Sequence, residues 1–295
     1  MCPVRSMKNM SNTTQKLAFV FPGQGAQVPG MGKALCEASD SAKAVFDSLE
    51  AIRPGLKELC FNGTKEELSL TINTQPCIFA VSMANAAALA EQGIMPNVVA
   101  GFSLGEACAL TFAGAMSLSD GFRAVIKRAE LMTECASQSK GAMSVVIKLD
   151  ASSVEKIALE YGVYAVNYNC PGQTVVSGLA DKIVEFNKAV ATAGGRALPL
   201  AVSGAFHSPL MADAAKGFRD YLDTLDIVAP MLPVYANGTA RAYSTNVDEL
   251  KDTFASQIAS PVLWEQTVRN LKDMGIEQFI ELEPGKVLTG LIGKI

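Results

Sequence analysis

A serine framed by glycines, between an apolar run and a helix-like stretch, is the feature that most constrains this chain. Residues 98–100 are Val-Val-Ala, residues 101–105 are Gly-Phe-Ser-Leu-Gly, and residues 106–112 form the helix-like stretch. The glycines permit a sharp strand-to-helix turn that exposes the hydroxyl of Ser103, and the N–H groups of the helix start point toward it. The pattern predicts a nucleophilic Ser103, and the alternative is a glycine-rich connector with an idle serine.

The chain contains one histidine, His207. A serine nucleophile needs a neighbouring base, and histidine is the usual one near neutral pH. His207 lies between a strand-like run at 197–202 and a helix-like run after Pro209, where catalytic side chains tend to occur. We therefore predict that His207 is the base for Ser103. The alternative for a lone histidine is a hydrogen-bonded residue without a chemical role.

Composition narrows the class of protein. The chain has 295 residues, of which 49% are hydrophobic and 18% charged, so we expect a globular protein. A net charge of −4 argues against nucleic-acid binding. Seven scattered cysteines without a Cys-x-x-Cys pair predict free thiols in a reducing compartment, no metal site and a cytoplasmic location. No apolar stretch is long enough to predict a membrane span.

Residues 1–14 contain two basic residues, no acids and several serines and threonines. They lack the hydrophobic core of a signal peptide. A disordered start, a non-native start and the end of a transit peptide that directs the protein to an organelle remain alternatives for this segment.

The order of segments predicts the fold class. Strand-like and helix-like segments alternate in the first half, which favours a parallel sheet covered by helices. Residues 142–200 instead follow the order strand, helix, strand, strand, helix, strand, which is ferredoxin-like. We predict an α/β fold, in which a large α/β-hydrolase-like catalytic domain with a parallel sheet (15–138 and 203–295) is interrupted by a small ferredoxin-like α+β subdomain (139–202). The active site is expected in the crevice between them.

Periodicity and turn signals also predict individual elements. Strands are predicted at 16–21, 98–100, 142–149, 163–168, 173–177, 196–200, 232–235 and 278–282. Helices are predicted at 40–52, 75–92, 106–112, 118–136, 152–161 and 183–193.

Arg128 is the most informative charged residue. It lies on the predicted helix at 118–136, which Ser117 caps with Asp120 three residues further on. At 100° per residue, Arg128 falls at the border of the apolar stripe of that helix. Position alone favours a side chain that snorkels from the edge of the core, and the alternative is one that reaches into a cleft.

Five motifs in order resemble the malonyl-CoA:acyl-carrier-protein transacylase family over about residues 16–295. They are Phe-Pro-Gly-Gln-Gly-Ala-Gln (21–27), Gly-Phe-Ser-Leu-Gly-Glu (101–106), Asn-Tyr-Asn-Cys-Pro-Gly-Gln (167–173), Gly-Ala-Phe-His-Ser (204–208) and Glu-Pro-Gly-Lys-Val-Leu-Thr-Gly-Leu (283–291). The resemblance implies that malonyl-CoA acylates Ser103 and that the phosphopantetheine thiol of holo acyl carrier protein then takes the malonyl group. This activity supplies extender units for fatty acid synthesis and requires no cofactor or metal.

The same resemblance assigns roles to single residues. Backbone N–H groups of Gln24 and Leu104 would form the oxyanion hole, and Arg128 would hold the free carboxylate of the malonyl group. A main-chain carbonyl near Gln257 would orient His207 in place of a triad acid. Further substrate contacts are implied for Phe102, Met132, Asn169 and Phe206.

Phe102 departs from the commonest family pattern, which places a histidine before the nucleophile. Because the predicted base is His207, the departure leaves the base in place. It puts in doubt a polar contribution to substrate binding from this position.

Three alternatives compete with this function. A serine esterase or thioesterase of the α/β-hydrolase type shares the turn at 101–105, but it needs an acid between Ser103 and His207 in chain order. Its candidates, Asp120, Asp150 and Asp181, all resemble helix-start residues. A polyketide pathway could use the same malonyl transfer. A non-catalytic binding paralogue would be free to lose Ser103 or His207, and both are present.

Overall fold

The computed structural model of the protein describes residues 16–202 and 204–295. The strands are β1 Lys16–Phe21, β2 Val98–Gly101, β3 Gly141–Ile147, β4 Tyr164–Cys170, β5 Gln173–Leu179, β6 Arg196–Pro199, β7 Val234–Tyr235 and β8 Ile276–Glu281. The helices are α1 Lys33–Ala38, α2 Asp40–Glu50, α3 Leu56–Asn62, α4 Lys65–Ser69, α5 Thr71–Glu91, α6 Gly105–Phe112, α7 Leu118–Gln138, α8 Ala151–Tyr161, α9 Ala180–Thr192, α10 Ala212–Leu222, α11 Val247–Ser256, α12 Trp264–Asp273 and α13 Val287–Ile292, with 3₁₀ turns at Pro209–Met211 and Gln257–Ala259. The predictions made for residues 1–14 lie outside the described part of the chain.

The first sheet is parallel and has the strand order β7-β2-β1-β8. Helix α6 packs on β1 and β2, and α5 and α7 pack on α6 and on each other, so one apolar layer covers this face of the sheet. A second apolar cluster, which includes Trp264 and Val268 of α12, lies against the alternate side chains of β1 and β2. Burial on both faces explains why β1 and β2 are continuous apolar runs. The predicted mixed α/β fold with a parallel sheet is confirmed.

The second sheet is antiparallel, with the strand order β4-β5-β3-β6. Helices α8 and α9 pack together on it around a core that includes Val146, Phe186 and Val190. The two sheets meet where β4 runs beside the segment before α12. There the N–H of Tyr168 donates to the carbonyl of Val262 at 2.9 Å, and the N–H of Val262 donates to Val166 at 2.7 Å.

The predicted elements are all present, and their ends differ by at most four residues. The largest difference is at α5, which was predicted to begin at Gln75, next to Pro76, and begins at Thr71. Pro76 has no N–H for the carbonyl of Ile72. The Nη1 of Arg53 donates to that carbonyl at 3.0 Å, so the helix continues through the proline. No helix within the described residues is long and apolar enough to span a bilayer.

Candidate active site

The turn at residues 101–105 joins β2 to α6 with very close backbone packing. A Cβ atom on Gly101 would lie 1.9 Å from the carbonyl carbon of Gly105, and one on Gly105 would lie 2.0 Å from the oxygen of Phe21. Only glycine fits at these two positions. Ser103, at the apex, has a left-handed backbone with φ of 53°, which is uncommon for a residue with a side chain. The turn therefore presents the Ser103 hydroxyl above the carboxyl end of β2.

Ser103 and His207 form a hydrogen-bonded pair across 104 residues of sequence. The Oγ of Ser103 lies 2.7 Å from Nε2 of His207, and Nδ1 of His207 lies 2.9 Å from the main-chain oxygen of Gln257. Because a carbonyl can only accept, Nδ1 carries the proton and donates it, which leaves Nε2 free to accept from the serine hydroxyl. This geometry can move the Ser103 proton to His207.

His207 is more enclosed than a residue at the edge of a cleft, since only 4% of its surface is exposed. Burial, and to a smaller extent the nearby Arg128 cation, lower the pKa of His207 to about 4, against the opposing effect of the hydrogen bond to the Gln257 carbonyl. The imidazole is therefore neutral at physiological pH, which is the state that a general base requires.

Arg128 is buried beside the Ser103–His207 pair, with 1% of its surface exposed. Its Nη2 donates to the Ser103 hydroxyl at 3.2 Å and to Oε1 of Gln257 at 2.9 Å, and its Nη1 donates to Oε1 of Gln75 at 2.8 Å. The snorkelling interpretation favoured by helix position is wrong, because the packing of α5 against α7 encloses the side chain and directs it into the site. Burial lowers the pKa of Arg128 to about 10, so the group is charged at neutral pH.

In the described part of the chain, the charge of Arg128 has no direct counterion. Among the described residues no carboxylate lies within ion-pair distance of its guanidinium, and its Nε has no hydrogen-bond partner. An unpaired buried cation is costly. The site can therefore bind an anionic group next to the serine.

A pocket of about 500 Å³ lies between the two sheets and contains both members of the Ser103–His207 pair. Six other predicted site residues line it, namely Gln24, Phe102, Leu104, Arg128, Met132 and Phe206. The antiparallel sheet contributes Met143 and Asn167, so both sheets supply walls. Asn169 is outside this pocket; it lines an adjoining cavity of about 700 Å³, which shares Gln24, Phe102, Asn167 and Leu200 with the first.

Two functional neighbours of Ser103 were missed by sequence reasoning. The amide oxygen of Asn237 accepts from the N–H of Ser103 at 2.7 Å, and the Asn237 N–H donates to Oε2 of Glu106 at 3.0 Å. Glu106 belongs to the motif at 101–106, and a carboxylate in the otherwise apolar helix α6 was a usable signal. Nothing in the sequence around Asn237 distinguished it, because its role depends on where the segment after β7 meets the turn.

The aspartates that an esterase triad would need lie elsewhere. Asp150 caps α8, and Asp120 and Asp181 lie in the first turns of α7 and α9, as their sequence context predicted. Nδ1 of His207 pairs with a carbonyl instead. Within the described ranges there is also no cluster of three His, Cys, Asp or Glu side chains that could hold a metal.

The fold and the site are those of an acyltransferase with a serine nucleophile, and comparison with known proteins places the chain in the acyltransferase class. A family model described as "Acyl transferase domain" matches residues 18–293, so the chain belongs to the acyl transferase family. Within it, the chain belongs with the malonyl CoA-acyl carrier protein transacylases. It is 42% identical over 288 residues to the protein of that name from Bacillus subtilis (strain 168), a match that covers 95% of this chain and 90% of the relative.

Solved structures agree with that placement. An acyl carrier protein S-malonyltransferase from Vibrio cholerae O1 biovar eltor has a TM-score of 0.91 and 36% identity, and the match covers 95% of this chain and 93% of that one. A malonyl-transacylase in complex with its type II PKS acyl-carrier protein has a TM-score of 0.92 and 35% identity, with coverage of 95% and 93%.

Proposed function

We propose that the protein transfers the malonyl group from malonyl-CoA to the phosphopantetheine thiol of holo acyl carrier protein, and so supplies extender units for fatty acid synthesis. The observation that carries this proposal is the position of Arg128, a buried cation 3.2 Å from the Ser103 hydroxyl. A malonyl thioester places a carboxylate two bonds beyond its reacting carbonyl, and the planar fork of arginine suits a bidentate grip on it. An esterase for uncharged acyl groups has no use for such a cation.

The reaction follows from the hydrogen bonds of the site. His207 Nε2 takes the hydroxyl proton as Ser103 Oγ attacks the thioester carbonyl, and backbone N–H groups of Gln24 and Leu104 stabilise the oxyanion. The carbon–sulfur bond then breaks, and His207 returns the proton to the sulfur of CoA. The carrier-protein thiol repeats these steps on the acyl-serine, so that one covalent intermediate divides the transfer into two halves.

The cavity that adjoins the pocket is proposed to hold the pantetheine arm of both thioesters. Apolar side chains such as Val175, Leu288 and Leu291 line it, and so do Asn167 and Asn169. The Oδ1 atoms of both asparagines are buried without a hydrogen-bond partner in the described residues. A pantetheine arm has amide N–H groups that could satisfy these acceptors. Asn169 therefore remains a predicted substrate contact, assigned to the arm instead of the acyl group.

A transfer-versus-hydrolysis assay tests the proposed function. Wild-type protein is incubated with malonyl-CoA, with and without holo acyl carrier protein, and malonyl-carrier, free CoA and malonate are quantified. We expect malonyl-carrier as the main product and little malonate. Malonate as the main product in the presence of carrier protein would indicate an esterase. The absence of any turnover would indicate a non-catalytic binding paralogue.

A second candidate function is the supply of malonyl groups to a polyketide pathway. It is favoured by the similarity to the transacylase solved with its type II PKS acyl-carrier protein. The same assay with a fatty-acid and a polyketide carrier protein side by side separates the two, because the native partner should show the higher kcat/KM.

The pKa of His207 predicts the pH dependence of acylation. The neutral imidazole is the active form, and a folded-state pKa lowered to about 4 keeps it neutral as pH falls from 8 to below the ordinary value of about 6.5. We expect kcat/KM for malonyl-CoA to hold at pH 6 and to fall only as pH nears the lowered pKa. An acidic limb centred near 6.5 would contradict the neutral, buried state of His207. Burial raises the pKa of Glu106 to about 7, so the Glu106→Gln variant is the control that removes its titration.

The Phe102→His variant tests the residue that departs from the family pattern. Phe102 lines the pocket and contacts Trp264 edge-to-face, with ring centroids 5.6 Å apart. Because His207 stays in place, we expect the half-saturating malonyl-CoA concentration to change more than the maximum rate of single-turnover acylation. Rapid-quench measurements over a range of malonyl-CoA concentrations separate these quantities. A strong change in rate at unchanged affinity would show that Phe102 affects the chemical step.

The finer fold assignment is also a proposal. The description of the parallel-sheet part, 15–138 with 203–295, as α/β-hydrolase-like is supported by the strand–turn–helix around Ser103. The description of 139–202 as a ferredoxin-like subdomain is supported by the order β4-β5-β3-β6 with α8 and α9 on one sheet. Expression of residues 139–202 alone tests whether this unit folds independently.

We also propose a cytoplasmic location. It is supported by the cysteines of the described residues, all six of which are free thiols, as expected in a reducing compartment. Fractionation of the source cells with an antibody against the protein tests this proposal.

A further inference from the structure

The backbone of Ser103 is held by two amide side chains. The N–H of Ser103 donates to Oδ1 of Asn237 at 2.7 Å, and the Ser103 carbonyl accepts from Nε2 of Gln257 at 2.6 Å. Both amides are 1% exposed. Since the left-handed backbone of Ser103 is strained, it persists only where its surroundings enforce it. These two hydrogen bonds provide that enforcement from outside the turn at 101–105.

Glu106 contacts both residues, through the main-chain N–H of Asn237 and the side-chain amide of Gln257. Its Oε2 accepts from the Asn237 N–H at 3.0 Å and from Nε2 of Gln257 at 3.2 Å, and its Oε1 accepts from the hydroxyl of Tyr243. The carboxylate is fully buried, and each contact is more than 130 residues distant in sequence. A buried carboxylate with three donors fixes the orientation of those donors strongly.

Gln257 connects this arrangement to the rest of the site. Its Oε1 accepts from Arg128, and its main-chain oxygen accepts from Nδ1 of His207. A shift of Gln257 would therefore move the nucleophile backbone, the base and the cation together. Glu106 is placed to prevent that shift, although it touches none of the reacting atoms.

We propose that Glu106 is a positioning residue for acyl transfer. Its carboxylate oxygens hold Asn237 and Gln257, and these two residues keep Ser103, His207 and Arg128 in their relative positions. The inference rests on the proposed function and deepens it. What the site requires from Glu106 is the reach and accepting geometry of its oxygens. Its negative charge is secondary, although Arg128 is near enough to interact with it.

Two conservative variants separate reach from charge. Glu106→Gln keeps the length of the side chain and an accepting oxygen for Asn237 and Gln257, while its amide group can donate to the Tyr243 oxygen. Glu106→Asp keeps the charge but withdraws the oxygens by about one carbon–carbon bond, ~1.5 Å. Because a misplacement of roughly 1 Å costs about 10²-fold in rate, we expect Asp to lower the maximum rate of single-turnover acylation by about that factor and Gln by less than about tenfold. The half-saturating concentration of malonyl-CoA should change little in either variant.

A matched control shows that the effect is not general destabilisation. Leu110 lies one helical turn after Glu106 on α6 and is fully buried. Its side chain is apolar, so it cannot form a hydrogen bond to the Ser103 backbone. Leu110→Ala should lower the melting temperature while leaving the acylation rate of the folded protein near that of wild type. Thermal melts of all variants identify those that fold.

The outcomes are distinct. Faster acylation by the Gln variant than by the Asp variant, at similar malonyl-CoA affinity, supports the positioning role. An Asp variant equal to wild type, or a Gln variant slower than Asp, overturns it, and the second result would mean that charge is the essential property. Failure of the wild-type protein to form a malonyl-enzyme would instead refute the proposed function itself.

Discussion

Ser103→Ala should abolish the covalent malonyl-enzyme that wild-type protein forms with malonyl-CoA. The hydroxyl of Ser103 is the group held 2.7 Å from Nε2 of His207 and presented by the left-handed turn, and alanine has no atom that can attack. Loss of the nucleophile removes the pathway completely, which makes this the largest effect expected. Intact-mass spectrometry after brief incubation with malonyl-CoA measures the adduct.

Ser137→Ala is the matched control for this experiment. Ser137 is an exposed serine on α7 whose hydroxyl donates to the Glu134 carbonyl, so its removal should leave the adduct unchanged. A stoichiometric adduct in the Ser103→Ala protein would mean that another residue carries the acyl group.

Arg128→Ala should lower malonyl transfer strongly while sparing uncharged acyl groups. A buried charge pair that loses one partner costs about 2–5 kcal/mol, which corresponds to roughly 30- to 5,000-fold in kcat/KM. Acetyl-CoA lacks the carboxylate and never needed that partner. Removing the cation also removes an unpaired charge from the pocket that an acetyl group cannot satisfy. The preference for malonyl over acetyl should therefore flatten or invert.

The decisive quantity is the ratio of kcat/KM for malonyl-CoA and acetyl-CoA, measured in wild type and variant. Partial misfolding lowers kcat/KM for both substrates by the same factor, so a change in the ratio reflects a change in the selectivity of the pocket. Arg123→Ala is a matched control, because Arg123 is exposed on the same helix and pairs with Asp120 at 3.7 Å. If the ratio stayed unchanged in Arg128→Ala, the carboxylate would be recognised by another group.

Local patterns predicted the elements and the turn of this protein. A Cβ at Gly105 is excluded by Phe21 of β1, but a Cβ at Gly101 is excluded by Gly105 and Glu106 of the same turn, so the glycine at 101 was informative from local sequence. Helix caps such as Ser117 for α7 and Asp150 for α8 were predictable for the same reason. The single histidine limited the choice of base to His207, which the structure places beside Ser103.

What depended on distant packing was not predictable. Helix position alone favoured a snorkelling Arg128, because periodicity does not show that α5 covers that border. The role of Arg128 as the group that holds the malonyl carboxylate came from the family resemblance and stays a prediction. Asn237 was missed because its contact with Ser103 spans 134 residues. The separation of Asn169 from the acyl pocket depends on how β4 lies along the adjoining cavity, which a motif cannot reveal.

The carbonyl that supports His207 belongs to the backbone, and this has consequences for how the site tolerates genetic change. A triad acid is a side chain that one nucleotide substitution can delete. The peptide oxygen at position 257 persists whatever residue the codon specifies, provided the 3₁₀ turn at Gln257–Ala259 keeps its path. A substitution at this position therefore removes only the side-chain amide, which accepts from Arg128 and donates to the Ser103 carbonyl. Mutational scanning for an acidic side chain hydrogen-bonded to His207 would find none, because the main-chain oxygen of Gln257 accepts from its Nδ1.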